Sequence, residues 1–274
     1  MAMKALKSGV SLLAAGACTL AASSATAAQP DMFDGDWHFS LSPYLWIPTI
    51  YSTANLPLPP PLGGTVNLEV KPNKYLSDIK FGSLFEGAAR KGDWVVGTDV
   101  MYMKLGGSKS TVKSLTGPGG VVVIPTTSYV NGSIKVGIVG LVGGRTVMHN
   151  EYGNLELIAG VRYADVTAKA DLALSVGPIS EHASPSHSRS VTDGIGGVQG
   201  AWELGDGHKW YLPYEADYGG ASDNTTYNLQ AGVGYRMGWG NLLAGWRDLK
   251  YKFSGKNVED IRFSGPLIAA TFQW

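Results

Sequence analysis

From Tyr227 to Met237 every odd position is apolar or aromatic and every even position is polar, glycine or charged. A two-residue period places the two classes on opposite faces of an extended strand. Eleven residues is also the length a tilted strand needs to cross a bilayer. The same period sets Leu155, Leu157, Ala159, Val161 and Tyr163 against Glu156, Ile158, Gly160, Arg162 and Ala164. It sets Trp210, Leu212, Tyr214, Ala216 and Tyr218 against Tyr211, Pro213, Glu215, Asp217 and Gly219, where Pro213 predicts a bulge because it cannot donate to a ladder. Soluble antiparallel sandwiches alternate too, so composition has to decide between them.

Only 16% of the chain is charged, against roughly 25% in an average soluble domain, and it carries 8 Trp and 13 Tyr. Of 274 residues 37 are glycine, about twice the usual share, with no three-residue period that would suggest collagen. The 22 basic and 22 acidic residues balance, which excludes a disordered polyelectrolyte. Trp37, Trp94, Tyr102, Tyr163, Trp210, Tyr218, Tyr227 and Tyr235 stand near segment ends, as expected for two aromatic girdles bounding an apolar belt. After residue 28 no run of 18 apolar residues exists, which excludes a helical membrane protein.

Residues 1–28 read as a secretory signal peptide, leaving 29–274 as one barrel domain. Lys4 and Lys7 supply the positive start, Ser8 to Leu20 the apolar stretch and Ala25-Thr26-Ala27 the cleavage pattern. The single cysteine, Cys18, lies inside this leader, so the mature chain is expected to hold no disulfide or thiolate metal site. Losing Lys4 and Lys7 leaves 20 basic against 22 acidic residues, which gives nucleic acid no basic face to bind.

Tight turns at Lys91-Gly92-Asp93, His149 to Gly153, Gly205-Asp206-Gly207 and Gly238-Trp239-Gly240 alternate with longer stretches at about 47–77, 106–127, 175–188, 220–224 and 254–258. They separate ten strands, near 36–46, 78–90, 94–105, 128–146, 153–172, 189–204, 208–219, 225–237, 240–253 and 259–274. The expected fold is all-β: a transmembrane antiparallel up-and-down barrel of about ten strands, with eight or twelve as alternatives. Twelve would require a further hairpin around Val66 to Val70, after the proline run Leu56 to Pro61.

Alternation points Glu86, Asp99, Lys135, Arg145, Glu156, Arg162, Gln199, Glu203, Glu215, Asp217, Arg236 and Arg247 into the lumen, and Phe85, Val100, Val136, Val161, Trp202, Ala216, Tyr235 and Trp246 toward lipid. Glu86, Asp99, Arg145, Arg162, Glu215, Asp217, Arg236 and Arg247 are the candidate pore-lining set. A glycine, apolar, arginine pattern repeats at Gly160-Val161-Arg162, Gly234-Tyr235-Arg236 and Gly245-Trp246-Arg247, setting a small residue beside each long cation. Such charges either form a selective constriction or pair to fill the lumen, since buried charges persist only when paired. Ten strands enclose little more than the eight that side chains fill. A narrow porin-like channel or a structural barrel is therefore expected first, and a surface-interaction barrel acting through its outer loops second.

A hydrolase at one rim ranks third. Its best candidates are Glu181-His182-Ala183-Ser184-Pro185-Ser186-His187 with Asp193, Asp217 or Asp223, on a Ser/Pro loop poorly suited to fixing a catalytic geometry. No catalytic residue, cofactor or metal is expected, because five scattered histidines do not make a metal site. Val121 to Ile124 is too apolar to stay exposed, so it either plugs the lumen or extends the wall as a hairpin.

The chain ends Ile268-Ala269-Ala270-Thr271-Phe272-Gln273-Trp274, with Phe272 and Trp274 on one face. This resembles the C-terminal signal by which outer-membrane barrels are recognised for assembly. Trp37-His38-Phe39-Ser40-Leu41-Ser42-Pro43-Tyr44-Leu45-Trp46, the Phe85 to Trp94 hairpin, Asp99-Val100-Met101-Tyr102 and Gly245 to Tyr251 are together similar to a family of poorly characterised proteobacterial outer-membrane proteins of porin-like, OmpA type. The resemblance implies a barrel in the bacterial outer membrane, reached by secretion. Its partners would be membrane lipid, lipopolysaccharide and the barrel-assembly machinery, with small solutes or ions as cargo, and it implies no established activity.

Overall fold

The computed structural model describes residues 31–56, 64–76, 79–116, 122–123, 127–176, 179–183, 186–205, 207–254 and 258–274. The expected leader therefore lies outside the described residues. The strands are β1 (Trp37–Trp46), β2 (Thr49–Leu56), β3 (Gly64–Val70), β4 (Ile79–Lys91), β5 (Trp94–Thr116), β6 (Val122–Val123), β7 (Thr127–Asn150), β8 (Gly153–Val176), β9 (Ile179–Ala183), β10 (Ser186–Leu204), β11 (Trp210–Ala221), β12 (Asn224–Met237), β13 (Gly240–Phe253) and β14 (Val258–Gln273).

Every pairing is antiparallel, and β14 returns to pair with β1, which closes the sheet. At the seam the Phe39 amide donates to the Trp274 carbonyl at 2.8 Å and the Trp274 amide to the Phe39 carbonyl at 3.1 Å. Fourteen segments make ten wall strands because four of the ten are interrupted. β14 pairs first with β1 and then, past Ile47 and Pro48, with β2. In the second wall strand β3 pairs with β2 and β4 with β1. In the same way β6 leads into β7 along β5, and β9 into β10 along β8. The hairpin around Val66 to Val70 thus lengthens two wall strands and leaves the number at ten.

Large apolar side chains are exposed all round the outside, among them Trp37, Trp94, Leu141, Val161, Trp210, Leu229, Ile268 and Trp274. A continuous apolar outer face of this size needs lipid against it. Tyr163, Tyr218, Tyr227 and Trp246 stand where that belt gives way to the Asp248–Arg262 and Lys250–Asp260 ion pairs, the latter at 3.0 Å. Short turns, the start of β1 and the end of β14 gather at one end of the barrel, here the turn end.

At the opposite, extended end the wall continues past the belt. β8 runs from Tyr163 to Val176, roughly 30 Å beyond at ~3.3 Å per residue and the usual tilt. Much of 47–77, 106–127 and 175–188, expected as irregular loop, is therefore paired strand. Polar runs such as Gly106 to Ser110 carry no alternation to read. Val122 and Val123 pair with Thr116 and Leu115, a hairpin extension of the wall; Val121 and Ile124 lie outside the described residues. Pro213 stays in register with Ala201 without a bulge.

The lumen has two halves. In the extended half Trp46, Tyr75, Met101, Ile138, Leu249, Tyr251 and Phe263 pack as an apolar core, each 2% exposed or less. Tyr75 enters from the 3-10 turn Pro72–Lys74 between β3 and β4, and its hydroxyl donates to the Pro48 carbonyl at 2.6 Å. In the turn-end half the inward residues are polar and charged.

On β7 the inward parity is the reverse of that expected. Val136 and Ile138 are buried inside, while Lys135 and Arg145 lie on the outer face. Both faces of this strand are apolar, so its two cations decided the sequence reading wrongly. Lys135 sits over the Tyr102 ring at 5.8 Å and Arg145 over Trp94 at 5.5 Å. Long cations lie readily at this level with their stems along aromatic rings.

Candidate functional site

Inward positions on the transmembrane strands bring the charged residues into layers. Nearest the turn end, Arg90 of β4 pairs with Glu156 of β8 and donates to Thr146 Oγ1 at 3.0 Å. Gln199 Nε2 and Asn154 Nδ2 donate to the two oxygens of the same carboxylate at 2.7 and 3.1 Å. Phe33, from the segment before β1, stacks on His149 at 3.8 Å and lies under the Arg90 guanidinium at 4.7 Å. His38 Nε2 is 2.7 Å from Asp34 Oδ1, and this bond holds the Asp34 carboxyl below its ordinary range.

Arg236 of β12 pairs with Glu203 and covers the Tyr211 ring at 4.5 Å. Gly234 is what admits that ring, since a Cβ there would lie 2.1 Å from Tyr211 Cζ. The glycine of this repeat therefore makes room for a cross-strand aromatic, and the aromatic supports the arginine. Gly234→Ala should displace the ring at a cost of about 1–3 kcal/mol, read as a lower urea midpoint in detergent while Gly238→Ala, with open space around it, stays near wild type.

The central layer is built on Arg247. Its Nη2 donates to Asp99 Oδ2 at 2.6 Å, its Nη1 to the Tyr44 hydroxyl at 3.2 Å and its Nε to Asn228 Oδ1 at 2.9 Å. The Tyr44 hydroxyl donates to Asp99 Oδ1 at 2.7 Å, and Asn228 Nδ2 to Glu215 Oε1 at 2.7 Å. Beside it Arg162 holds Asp217 in a two-pronged pair at 2.8 and 2.5 Å. Planar guanidinium and carboxylate groups match in this way when both are buried.

Two adjoining cavities, about 280 and 210 Å³, lie in this polar half and share Ser40, Ala88, Val95 and Gln199. Glu86 and Glu215 line the second cavity with Asp99 and Arg162. Both cavities lie on the turn-end side of the apolar core. Of the candidate pore-lining set, the structure brings Asp99, Arg247 and Glu215 into one network, pairs Arg162 with Asp217, faces Glu86 into the same cavity, sets Arg236 near the turn end and leaves Arg145 outside.

Of the rim candidates, the structure describes the side chains of the three aspartates only. Asp217 is held by Arg162 inside the lumen, Asp223 pairs with Arg189 at 2.5 Å and Asp193 is buried against Asn224. Ser184 and Pro185 lie outside the described residues. Among the described residues no three His, Cys, Asp or Glu side chains meet in a metal-binding group. The sequence reading missed Arg90, Tyr44 and Asn228, although their inward parity on β4, β1 and β12 is visible once the strands are set.

No family model and no curated protein matches the chain. Among solved structures it is similar to the outer membrane protease OmpT from Escherichia coli, at 12% identity and a TM-score of 0.52, covering 91% of this chain and 100% of that one. It is also similar to Ail, the attachment invasion locus protein of Yersinia pestis, at 12% identity and a TM-score of 0.34, covering 87% and 98%. The translocator domain of the autotransporter NalP from Neisseria meningitidis matches at 13% identity and a TM-score of 0.36, covering 89% and 91%. At such identities the OmpT likeness speaks for architecture: a closed ten-stranded barrel of the outer-membrane type.

Proposed function

We propose that this chain is a structural barrel of the bacterial outer membrane whose lumen is closed to solutes, and whose wall beyond the membrane is the part that meets the surroundings. The observation that carries this reading is the apolar layer of Trp46, Met101, Ile138, Leu249 and Phe263, buried to 2% exposure or less, lying across the lumen above the Arg247 network. An ion crossing the barrel would have to leave the polar half and pass through that layer, at the cost of burying an unpaired charge. The turn end then faces the periplasm and the extended end the exterior, as in outer-membrane barrels generally.

In this reading the outer belt meets lipid, with lipopolysaccharide around the extended half. Phe272 and Trp274, both outward on the closing strand, are the signal offered to the assembly machinery, and no catalytic step is assigned to the chain. Liposomes carrying the refolded chain should not swell in an isotonic pentose solution. Swelling comparable to that given by a general porin would reject the closed lumen.

A second reading, surface interaction, rests on the length of β5, β7 and β8, at 23, 24 and 24 residues. Protease treatment of intact cells should cut near Val121 and leave the barrel intact, whereas protection of that site would point to a plug.

A further inference from the structure

We propose that Asp193, Asn224, Thr226 and Tyr251 form a binding site for a hard cation, calcium in the first instance, beneath the extended rim of the lumen. Among the described residues, the buried side-chain oxygens without a hydrogen-bond partner are Asp193 Oδ2, Asn224 Oδ1, Thr226 Oγ1 and Tyr251 OH. These four residues are 0%, 3%, 1% and 1% exposed. A buried polar atom left unpaired is costly, and a buried carboxylate more so.

The four belong to one place. Asn224 Nδ2 donates to Asp193 Oδ1 at 2.6 Å, which fixes the amide with its oxygen still to be satisfied. Asn224 and Thr226 are two residues apart on the inward face of β12, and Thr226 is paired across the ladder with Tyr251. Asp193 reaches Asn224 across the intervening strand β11, whose residue in register with Asn224 is the small Ala221. Above them Tyr251 stacks on Phe253 at 6.3 Å, and the Arg189 guanidinium covers Phe253 at 4.6 Å.

The chemistry selects the ligand. The fixed cation facing Asp193 is Arg162, and both of its terminal nitrogens are committed to Asp217. The cluster of Arg162, Asp217 and Asp193 is therefore one positive charge short. All four orphan atoms are oxygens, with no nitrogen or sulfur, which suits a hard cation and disfavours zinc or copper. One carboxylate with three neutral oxygens is a low ligand charge, so the affinity falls in the weak range, about 10⁻⁴–10⁻³ M, with water completing the shell. The site does not depend on whether the lumen conducts.

Terbium tests it, since an ion beside Tyr251 is excited through the phenol ring. The refolded full chain should give saturable terbium emission at one ion per barrel, displaced by calcium chloride and untouched by choline chloride of equal ionic strength. Asp193→Asn keeps the shape and removes the charge, and it should weaken terbium and calcium binding at least tenfold while the folded gel mobility is retained. Should that variant fail to refold, Thr226→Val removes one oxygen at constant size and should weaken binding at least threefold. The wild-type urea midpoint should rise with calcium over its value in chelator, and that of Asp193→Asn should not. Emission that does not saturate, emission indifferent to both substitutions, or a wild-type midpoint indifferent to calcium would overturn the proposal, the last being the behaviour of a site that holds only a water molecule.

Discussion

Arg247→Ala is expected to cost about 3–5 kcal/mol of folding stability, the usual penalty for breaking a buried ion pair by removing one partner. Arg247 is 3% exposed and satisfies three groups at once: Asp99, the Tyr44 hydroxyl and Asn228. Without it the Asp99 carboxylate stands uncompensated next to Glu86, its neighbour in register, and Glu215 lines the same cavity. The penalty comes from that stranded charge more than from the lost contacts. Arg247→Ala combined with Asp99→Asn should therefore recover a large part of it. Urea unfolding of the single and double variants in detergent, followed by tryptophan fluorescence and gel mobility, measures both. A single-variant loss under about 1 kcal/mol would show that water reaches the network freely and that it is no core.

Phe263→Ala should cost a similar amount, about 3–5 kcal/mol, for a different reason. Phe263 is fully buried and lies 6.2 Å from the Trp46 ring, so truncation leaves a cavity that the rigid wall cannot collapse to fill. Phe272→Ala is the comparison, since Phe272 has the same chemistry on the outer face and is 42% exposed. If the extended half of the lumen is packed as described, the urea midpoint falls much further for Phe263 than for Phe272. Equal losses would mean that the inner face is hydrated.

Much of this architecture is legible in the sequence because a lipid belt imposes a strict rule. Where one face meets lipid and the other meets charge, as on β8, β11 and β12, the alternation fixes both strand and parity, and Glu156, Arg162, Asp217 and Arg236 fall inside as read. The rule fails where its cause is absent. On β7 both faces are apolar, one against lipid and one against the packed half of the lumen, so the charge of Arg145 is no inward signal there. Beyond the belt the outer face no longer has to be apolar, and polar runs such as Gly106 to Ser110 on β5 and Ser186 to Ser190 on β10 carry no period to read.

The site was legible as a set of charges but not as a set of partners. Arg162 with Asp217 lies two wall strands apart, and Arg247 with Asp99 is a contact across the lumen; such distances leave no trace in local spacing. Nor does alternation tell a polar lumen from one half filled with apolar side chains. Leu249, Tyr251 and Phe253 follow Arg247 on the same inward face of β13, and that switch from charge to hydrocarbon marks where the packed half of the lumen begins.

Single-barrel conductance of the refolded chain in a planar bilayer tests the closed lumen most directly, with gel mobility establishing that the inserted protein is folded. A silent membrane at moderate voltage is the predicted result. Discrete, reproducible current steps whose ion preference changes on substitution of Arg162 or Arg247 would contradict it and make the central layer a filter.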